Sequence, residues 1–118
     1  MNHFNVYPHR EIQENDESII LIGKSIKYYS HKDEDAFFEW IKRINCIDKI
    51  VGVGCELHFY IACDDLHEHD LRDLLALFYR YGLDMKQLRR FLNKNNKEWF
   101  FENEKAYWHR GVFGDNKI

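Results

Sequence analysis

Apolar and polar residues alternate with a period of two through residues 51–63, in the middle of the chain. Every odd position there is apolar, and every even position is small or polar. Such a period is typical of a β-strand with one face on a core and the other less buried. The odd positions are therefore predicted to face the core: Val51, Val53, Cys55, Leu57, Phe59, Ile61 and Cys63.

Two glycines interrupt the start of this alternation. A strand over residues 50–63 would span about 46 Å, far more than the usual strand. Gly52 and Gly54 therefore predict a bulge or a tight turn, with the regular strand over residues 55–62. A phosphate-binding loop is the alternative, but the lysine and the helix directly after it that such a loop needs are missing.

Shorter β-rich runs precede the central strand, at residues 4–7, 18–22 and 25–29. Gly23-Lys24 separates the last two runs, and a two-residue connection that begins with glycine fits a type II′ turn. The pattern therefore predicts a β-hairpin over residues 18–29.

A helical period follows over residues 30–45. Ser30 and Asp33 have the spacing of a capping box, and the early acidic residues favour the positive end of the helix dipole. The predicted apolar stripe recurs at helical spacing. It consists of Ala36, Phe37, Trp40, Ile41 and Ile44.

A second helix is predicted over residues 66–81. Asp64 and Asp65 offer oxygens for its N-cap, with Glu68 at the capping-box position, and Gly82 is the expected residue after its C-cap. Its predicted buried face contains Leu71, Leu74, Leu75, Leu77, Phe78 and Tyr81.

The remaining residues predict two more helices and a tail. Asp84 caps a short helix with Gln87 at the capping-box position. A last helix begins near Asn96 and carries Trp99, Phe100, Tyr107 and Trp108, with an interruption near Asn103 left open. Residues 111–118 are predicted to be a tail.

Taken together, these elements predict an α+β fold in two layers. A small, mainly antiparallel sheet, formed by the hairpin and the central strand, packs against about four helices. The length of 118 residues predicts a single domain over residues 1–118, with one core that needs neither disulfides nor metal.

Composition places this domain in the cytoplasm. No run approaches the roughly 18 apolar residues of a membrane span, and the first residues lack the plan of a signal peptide. Cys46, Cys55 and Cys63 are expected to be buried, reduced thiols, with a disulfide or a metal site as the alternatives. No cofactor is implied.

Charge is unevenly distributed along the chain. Residues 1–70 hold 14 acidic and 7 basic residues, a net charge of −7. Residues 71–118 hold 6 acidic and 10 basic residues, a net charge of +4. Such a division bears on the choice of partner rather than on the fold.

The densest polar cluster lies over residues 64–70. His67 and His69 are two positions apart, about 200° around a helix, whereas helical metal ligands are three or four apart. N-capping and solvated acids are therefore preferred, and no metal ligand or catalytic residue is assigned. A small hydrolase that uses this His/Asp cluster is one alternative function.

Residues 74–92 can be aligned with a helix-turn-helix. Gly82 would occupy the turn and Asp84 would cap the second helix, whose Lys86, Arg89 and Arg90 could approach phosphates. Phe78 departs from the pattern, because a small residue usually stands there. Nucleic-acid binding through this segment is the first alternative to protein binding, and the hydrolase is the second.

The chain is short and slightly acidic, is rich in Asn, Lys, Ile and aromatic residues, and predicts an α+β fold. In these respects it resembles bacterial immunity proteins, including those of contact-dependent inhibition systems. The resemblance is one of class and assigns no residues. It implies a non-enzymatic protein-binding module whose acidic surface covers the basic active site of a nuclease-like toxin, with aromatic anchors.

The residues suggest where such a surface would lie. Acidic residues flank two adjacent tyrosines in the first third of the chain, although a solvated acidic face with no partner fits the pattern equally well. The predicted protein-binding residues are Glu14, Asp16, Glu17, Tyr28, Tyr29, Asp33, Glu34 and Asp35. Oligomeric state is left open.

Overall fold

The computed structural model describes residues 19–114, which fall into two compact units that divide after Asp64. The first unit contains a sheet and one helix, and the second is helical. The strand predicted over residues 4–7 and the predicted binding residues Glu14, Asp16 and Glu17 lie outside the described residues. The single domain stays a prediction.

Within residues 19–114, three strands form one antiparallel sheet in the order β1-β3-β2. They are β1, Ile19–Lys24; β2, Ile47–Val53; and β3, Glu56–Ile61. A small antiparallel sheet combined with several helices confirms the predicted α+β class.

The hairpin predicted over residues 18–29 is wrong. β1 continues through the expected turn, because Gly23 and Lys24 pair with Leu57 and Glu56 of β3. The real hairpin joins β2 to β3 through Gly54-Cys55. Gly54 has a φ of +62° and Cys55 a negative φ, as a type II′ turn requires. The tight turn predicted at the central glycines is therefore confirmed.

The core face of β3 is the predicted one, since Leu57, Phe59 and Ile61 are all buried. The other odd positions of the alternation, residues 51, 53, 55 and 63, are not buried. Val53 is exposed, and so are the cysteines at both ends of β3. The alternation crosses the turn and so belongs to two strands rather than to one.

A bulge at Asp48 sets which residues of β2 face the core. Ile47 pairs with Ile61 and Ile50 with Phe59, so the register shifts by one residue between the two pairs. Both isoleucines are fully buried as a result. The valines of β2, which the simple alternation placed inside, are displaced from that face.

Helix α1, His31–Lys42, begins as predicted. The Ser30 hydroxyl accepts a hydrogen bond from the Asp33 amide at 3.1 Å, and the Asp33 carboxylate accepts one from the Tyr29 amide at 2.8 Å. The buried stripe is rotated from the predicted one: Ala36 is exposed and Trp40 half-buried. The buried residues of α1 are Glu34, Phe37, Phe38 and Ile41.

The cysteines are thiols, as predicted, rather than disulfides. Their predicted burial holds for Cys46 alone. Cys55 lies in the exposed turn, and Cys63 follows the end of β3.

Helix α2, Glu68–Arg80, starts later than predicted. Its N-cap is His67, whose side chain makes no capping hydrogen bond, so the predicted caps at Asp64 and Asp65 are wrong. The C-terminus is as predicted. Gly82 has a φ of +68°, and the Leu83 amide donates to the Phe78 carbonyl at 2.9 Å, which is a Schellman motif.

The buried face of α2 also follows the prediction closely, except that Tyr81 is only half-buried and Asp70 is inside. Its buried residues are Asp70, Leu71, Leu74, Leu75, Leu77 and Phe78.

A 3₁₀ helix, η1, Met85–Phe91, follows the Schellman motif. The Asp84 carboxylate accepts from the Lys86 amide at 3.1 Å, which confirms the predicted cap. Two short helices come next, α3, Lys97–Phe100, and α4, His109–Phe113.

The tail predicted from residue 111 is wrong in its first part. Val112 and Phe113 belong to α4 and are buried. The last predicted helix is thus two helices separated by residues 101–108.

Candidate protein-binding surface

The predicted tyrosines have different environments. Tyr28 is half-buried, with its ring centroid 5.5 Å from that of Phe37 and 6.3 Å from that of Phe38. Tyr29 is 84% exposed. Of this adjacent pair, only Tyr29 presents most of its side chain to solvent.

The predicted acids of the same segment are divided in the same way. Asp33 caps α1 through the hydrogen bond from the Tyr29 amide. Glu34 is 8% exposed and lies on the buried side of the helix, while Asp35 is exposed. The segment therefore brings Tyr29 and Asp35 to the surface and places Glu34 inside.

A second group of aromatic residues is exposed in the helical unit. Tyr79 of α2 is 58% exposed and Tyr107 is 48% exposed, and their rings meet edge to face with centroids 4.8 Å apart. Trp99 at α3 is half-buried. We call Arg72, Tyr79, Trp99 and Tyr107 the ring surface.

Arg72 is held in this surface by contacts with Trp99 and Glu68, and its guanidinium also lies 5.7 Å from the Trp108 ring centroid. Its guanidinium carbon lies 4.1 Å from the centroid of the Trp99 ring, a cation–π geometry. Its Nε donates to a Glu68 carboxylate oxygen at 2.7 Å, one turn earlier on α2. The arginine is thus ordered on the indole face before any partner arrives.

Trp108 supports the ring surface from below. It is buried, and its ring meets Trp99 edge on at 5.7 Å and Tyr107 edge on at 5.1 Å. Its Nε1 donates to the Phe100 carbonyl at 3.0 Å. Both ring pairs have the edge-to-face arrangement that aromatic pairs favour, and the indole N–H is satisfied as burial requires.

Contacts farther along the chain fix the segment that carries Trp99 and Tyr107. The His109 Nε2 lies 2.7 Å from the Phe101 carbonyl oxygen, and the Phe113 ring contacts those of Phe100 and Phe101. The Arg89 Nε donates to the Val112 carbonyl at 3.0 Å. The 99–108 segment is therefore tied to α4, and α4 to η1.

Acidic residues lie on the first two turns of α2, next to Arg72 in sequence. Glu68 is exposed, Asp70 is buried, and Asp73 is half-buried. Burial raises the pKa of Asp73, the charge of Asp70 raises it further, and His69 lowers it. An ionised carboxylate at Asp73 is therefore disfavoured relative to an exposed one.

The charges of α2 also reach the phenol of Tyr107. Burial raises its pKa above 10.0, Arg72 opposes that shift, and Tyr79 and Asp73 add to it. Tyr107 is thus within the field of both an arginine and a carboxylate, so its hydroxyl stays a neutral hydrogen-bonding group at physiological pH.

The His/Asp cluster is arranged differently from the helical expectation. His67 is the N-cap, with extended backbone, and its ring stacks on that of His69 at 5.7 Å. The argument from 200° of helix rotation therefore does not apply to this pair. Among the described residues, no group of three or more His, Cys, Asp or Glu side chains could hold a metal ion.

The segment aligned with a helix-turn-helix departs from that motif. Its second helix is η1, a seven-residue 3₁₀ helix, whereas a recognition helix in the major groove is an α-helix. Lys86 and Arg90 are exposed, but the Arg89 guanidinium is engaged by the Val112 carbonyl.

No family model, curated protein or solved structure matches this chain. In residues 19–114, no helix is both long and apolar enough to cross a membrane. The candidate function is therefore inferred from residues and geometry.

Sequence patterns missed the ring surface. Arg72 and Tyr79 are seven residues apart on α2, on the side opposite its buried leucines, and that spacing could have marked Tyr79 as an exposed aromatic residue. Its partner Tyr107 comes from a non-helical segment 28 residues later, and no local signal indicates their contact.

Proposed function

We propose that this protein is a non-enzymatic protein-binding module that binds a basic protein through the ring surface. The observation that supports this function is the contact between the exposed rings of Tyr79 and Tyr107, together with an arginine, Arg72, that is already stacked on the half-buried Trp99 ring. Tryptophan, tyrosine and arginine are the residues in which binding hot spots are enriched.

Preordering of these side chains favours binding. Each ring of the surface has a ring or guanidinium neighbour within 6 Å. Immobilising a flexible side chain on binding costs about 0.5–1.5 kcal/mol, so side chains that are already held reduce this cost.

The acids at the start of α2 support a basic partner. Glu68, Asp70 and Asp73 lie on its first two turns, and Glu68 already pairs with Arg72. Complementary charge steers association and rejects partners of the same sign. Protein binding at this surface keeps the arrangement expected from sequence, acids beside exposed rings, but at different residues.

The most specific form of this function is neutralisation of a nuclease-like toxin in the cytoplasm. It rests on the class resemblance to immunity proteins together with the acid-flanked rings. A module of this kind inhibits by covering a basic active site, and needs no catalytic residue of its own.

Photocrosslinking tests the surface and the partner together. A photoreactive phenylalanine analogue replaces Tyr79 in one variant and Tyr29 in a matched control, each in the full chain in its native host. Crosslinking from position 79 to one basic protein, absent from position 29, is expected. That partner is then purified and its affinity measured for wild type, Tyr107→Ala and Tyr29→Ala.

Three outcomes would reject the proposal: crosslinking from position 29 alone, an acidic partner, or equal affinities for all three proteins. A titration with generic DNA and RNA at about 100 mM salt decides the nucleic-acid alternative. Binding that is micromolar or tighter and is lost when Lys86, Arg89 and Arg90 are changed would favour that alternative instead. If the partner is a nuclease, equimolar wild-type protein should abolish its activity.

A further inference from the structure

A cavity of about 410 Å³ lies in the sheet unit, next to the β2–β3 hairpin. Its walls include Ile26, Tyr28, Phe38 and Leu57, and Gly52 and Cys55 lie at the hairpin side. Pockets for small ligands start at about 300 Å³, so this volume suits a small molecule.

Strand register explains why space remains here. Leu57 of β3 lies between Gly23 of β1 and Gly52 of β2 in the three-stranded register, and its side chain is on the core face. Residues directly opposite each other in a sheet share a face. On that row, Leu57 therefore has no neighbouring side chain on either strand, and the glycine backbone of β2 stays accessible.

The lining is neutral. Glu56 contributes to the cavity, but its side chain lies on the other face from Leu57 because successive side chains alternate. There its carboxylate is 2.9 Å from the His58 Nε2 and 3.9 Å from the Lys24 Nζ. The side chains that line the cavity from the core face are aliphatic and aromatic. The polar groups of the lining are uncharged: the Ser25 and Tyr28 hydroxyls, the Cys55 thiol and the backbone.

We propose that this cavity binds a small, neutral, aromatic molecule of about the size of an indole. The rings of Tyr28 and Phe38, whose centroids are 6.3 Å apart, and the Leu57 side chain offer it apolar contacts. The flat backbone at Gly52 allows close approach of a planar ligand, and the rim supplies neutral hydrogen-bonding groups. This site lies in the unit that does not carry the ring surface.

Two exposed thiols give a local test of this site. Cys55 lines the cavity, whereas Cys63 follows the end of β3 and does not line it. Indole at about four times its Kd leaves one site in five empty, so alkylation of Cys55 by iodoacetamide should slow about fivefold. Alkylation of Cys63 in the same molecule should be unchanged, as peptide mass spectrometry can measure.

Filling the cavity gives the second test. Ile26→Trp places an indole ring at the half-exposed wall, and Ile20→Trp places one at an exposed site on the outer face of β1 as the control. Free indole should shift the amide resonances of Gly52, Gly54 and Cys55 in wild type and Ile20→Trp, and not in Ile26→Trp.

Equal alkylation of Cys55 with and without indole would overturn the proposal, and so would benzoate or benzylammonium protecting Cys55 as well as indole does. If Ile26→Trp does not fold, the comparison of Cys55 with Cys63 in wild type decides the question alone.

Discussion

The segment around Tyr29 and the ring surface both combine tyrosines with acids, yet the structure uses them differently. Around Tyr29, the Ser30 and Asp33 side chains accept hydrogen bonds from backbone amides at the start of α1, and Glu34 is buried. Tyr29 itself is 84% exposed. At the ring surface, Tyr79 and Tyr107 contact each other, and Arg72 is stacked on Trp99.

This difference shows what a binding surface needs beyond composition. Near Tyr29, the Ser30 hydroxyl and the Asp33 carboxylate already accept hydrogen bonds from backbone amides at the start of α1. Rings from two separate segments, in contrast, can be aligned and held by a buried neighbour such as Trp108. Preordered exposed rings are the better candidates for partner contact.

The largest expected effect comes from removing that support. Trp108→Ala should lower the free energy of unfolding by about 3–5 kcal/mol, because it deletes a buried ring and leaves a cavity. Tyr29→Ala should change it by less than about 0.5 kcal/mol, as exposed substitutions do. Urea denaturation of both variants measures the contrast. Similar losses would mean that the Tyr29 segment is as firmly packed as the ring surface.

Partner affinity should separate the two regions next. Tyr107→Ala and Arg72→Ala are each expected to weaken binding of the basic partner by about 2 kcal/mol, roughly 30-fold, as truncation of a hot-spot residue does. Tyr29→Ala serves as the matched tyrosine truncation and should leave Kd within a factor of about two. Isothermal titration calorimetry measures the Kd of all three variants. A larger loss of affinity for Tyr29→Ala than for the other two would mean that the binding surface lies in the first unit instead.

The two N-caps give a smaller contrast. Ser30→Ala should cost about 1 kcal/mol of stability, because the Asp33 amide loses its acceptor. His67→Ala should cost much less, since the His67 side chain makes no capping bond. Thermal unfolding at fixed pH compares them. A larger loss for His67→Ala would show that its stacking on His69 matters more than capping.

The smallest effect concerns Asp73. Its pKa is raised in the folded protein, first by burial and then by Asp70. A raised carboxyl pKa favours the folded state below the ordinary value of 3.8, and that advantage is lost as pH rises through the folded-state value. Asp73→Asn should therefore raise the free energy of unfolding at neutral pH, by an amount that disappears in acid.

Denaturation of wild type and Asp73→Asn between pH 3 and 7 measures this difference. If Asp73→Asn instead lowered the free energy of unfolding at neutral pH, by an amount that disappears in acid, the sign would be opposite. That result would show that a cation holds Asp73 as a carboxylate.

Much of the local structure could be read from short stretches of sequence. The Ser30 cap, the Asp84 cap, the Gly82 Schellman motif and the core face of β3 each depend on residues within a few positions of one another. Within so short a span, chain connectivity already brings the interacting groups together, so residue type alone decides whether they bond.

The hairpin and the bulge show where this local reading stops. Gly23-Lys24 has the composition of a turn, but pairing with β3 keeps it extended, and Gly54-Cys55 turns instead. The bulge at Asp48 lets both Ile47 and Ile50 face the core, whereas the valines of β2 do not. Register is a property of strand pairs, and one residue of shift moves every side chain to the other face.

Sequence patterns alone predict the α+β class, the N-caps of α1 and η1, the C-terminus of α2, the core face of β3 and the reduced cysteines. Tertiary structure alone decided which strands pair, that Glu34 is inside, and that Tyr79 and Tyr107 form one surface. The physical reason is distance along the chain: capping and amphipathic periodicity act within one or two turns. Strand register and ring contacts join residues dozens of positions apart, whose approach depends on the packing of everything between them.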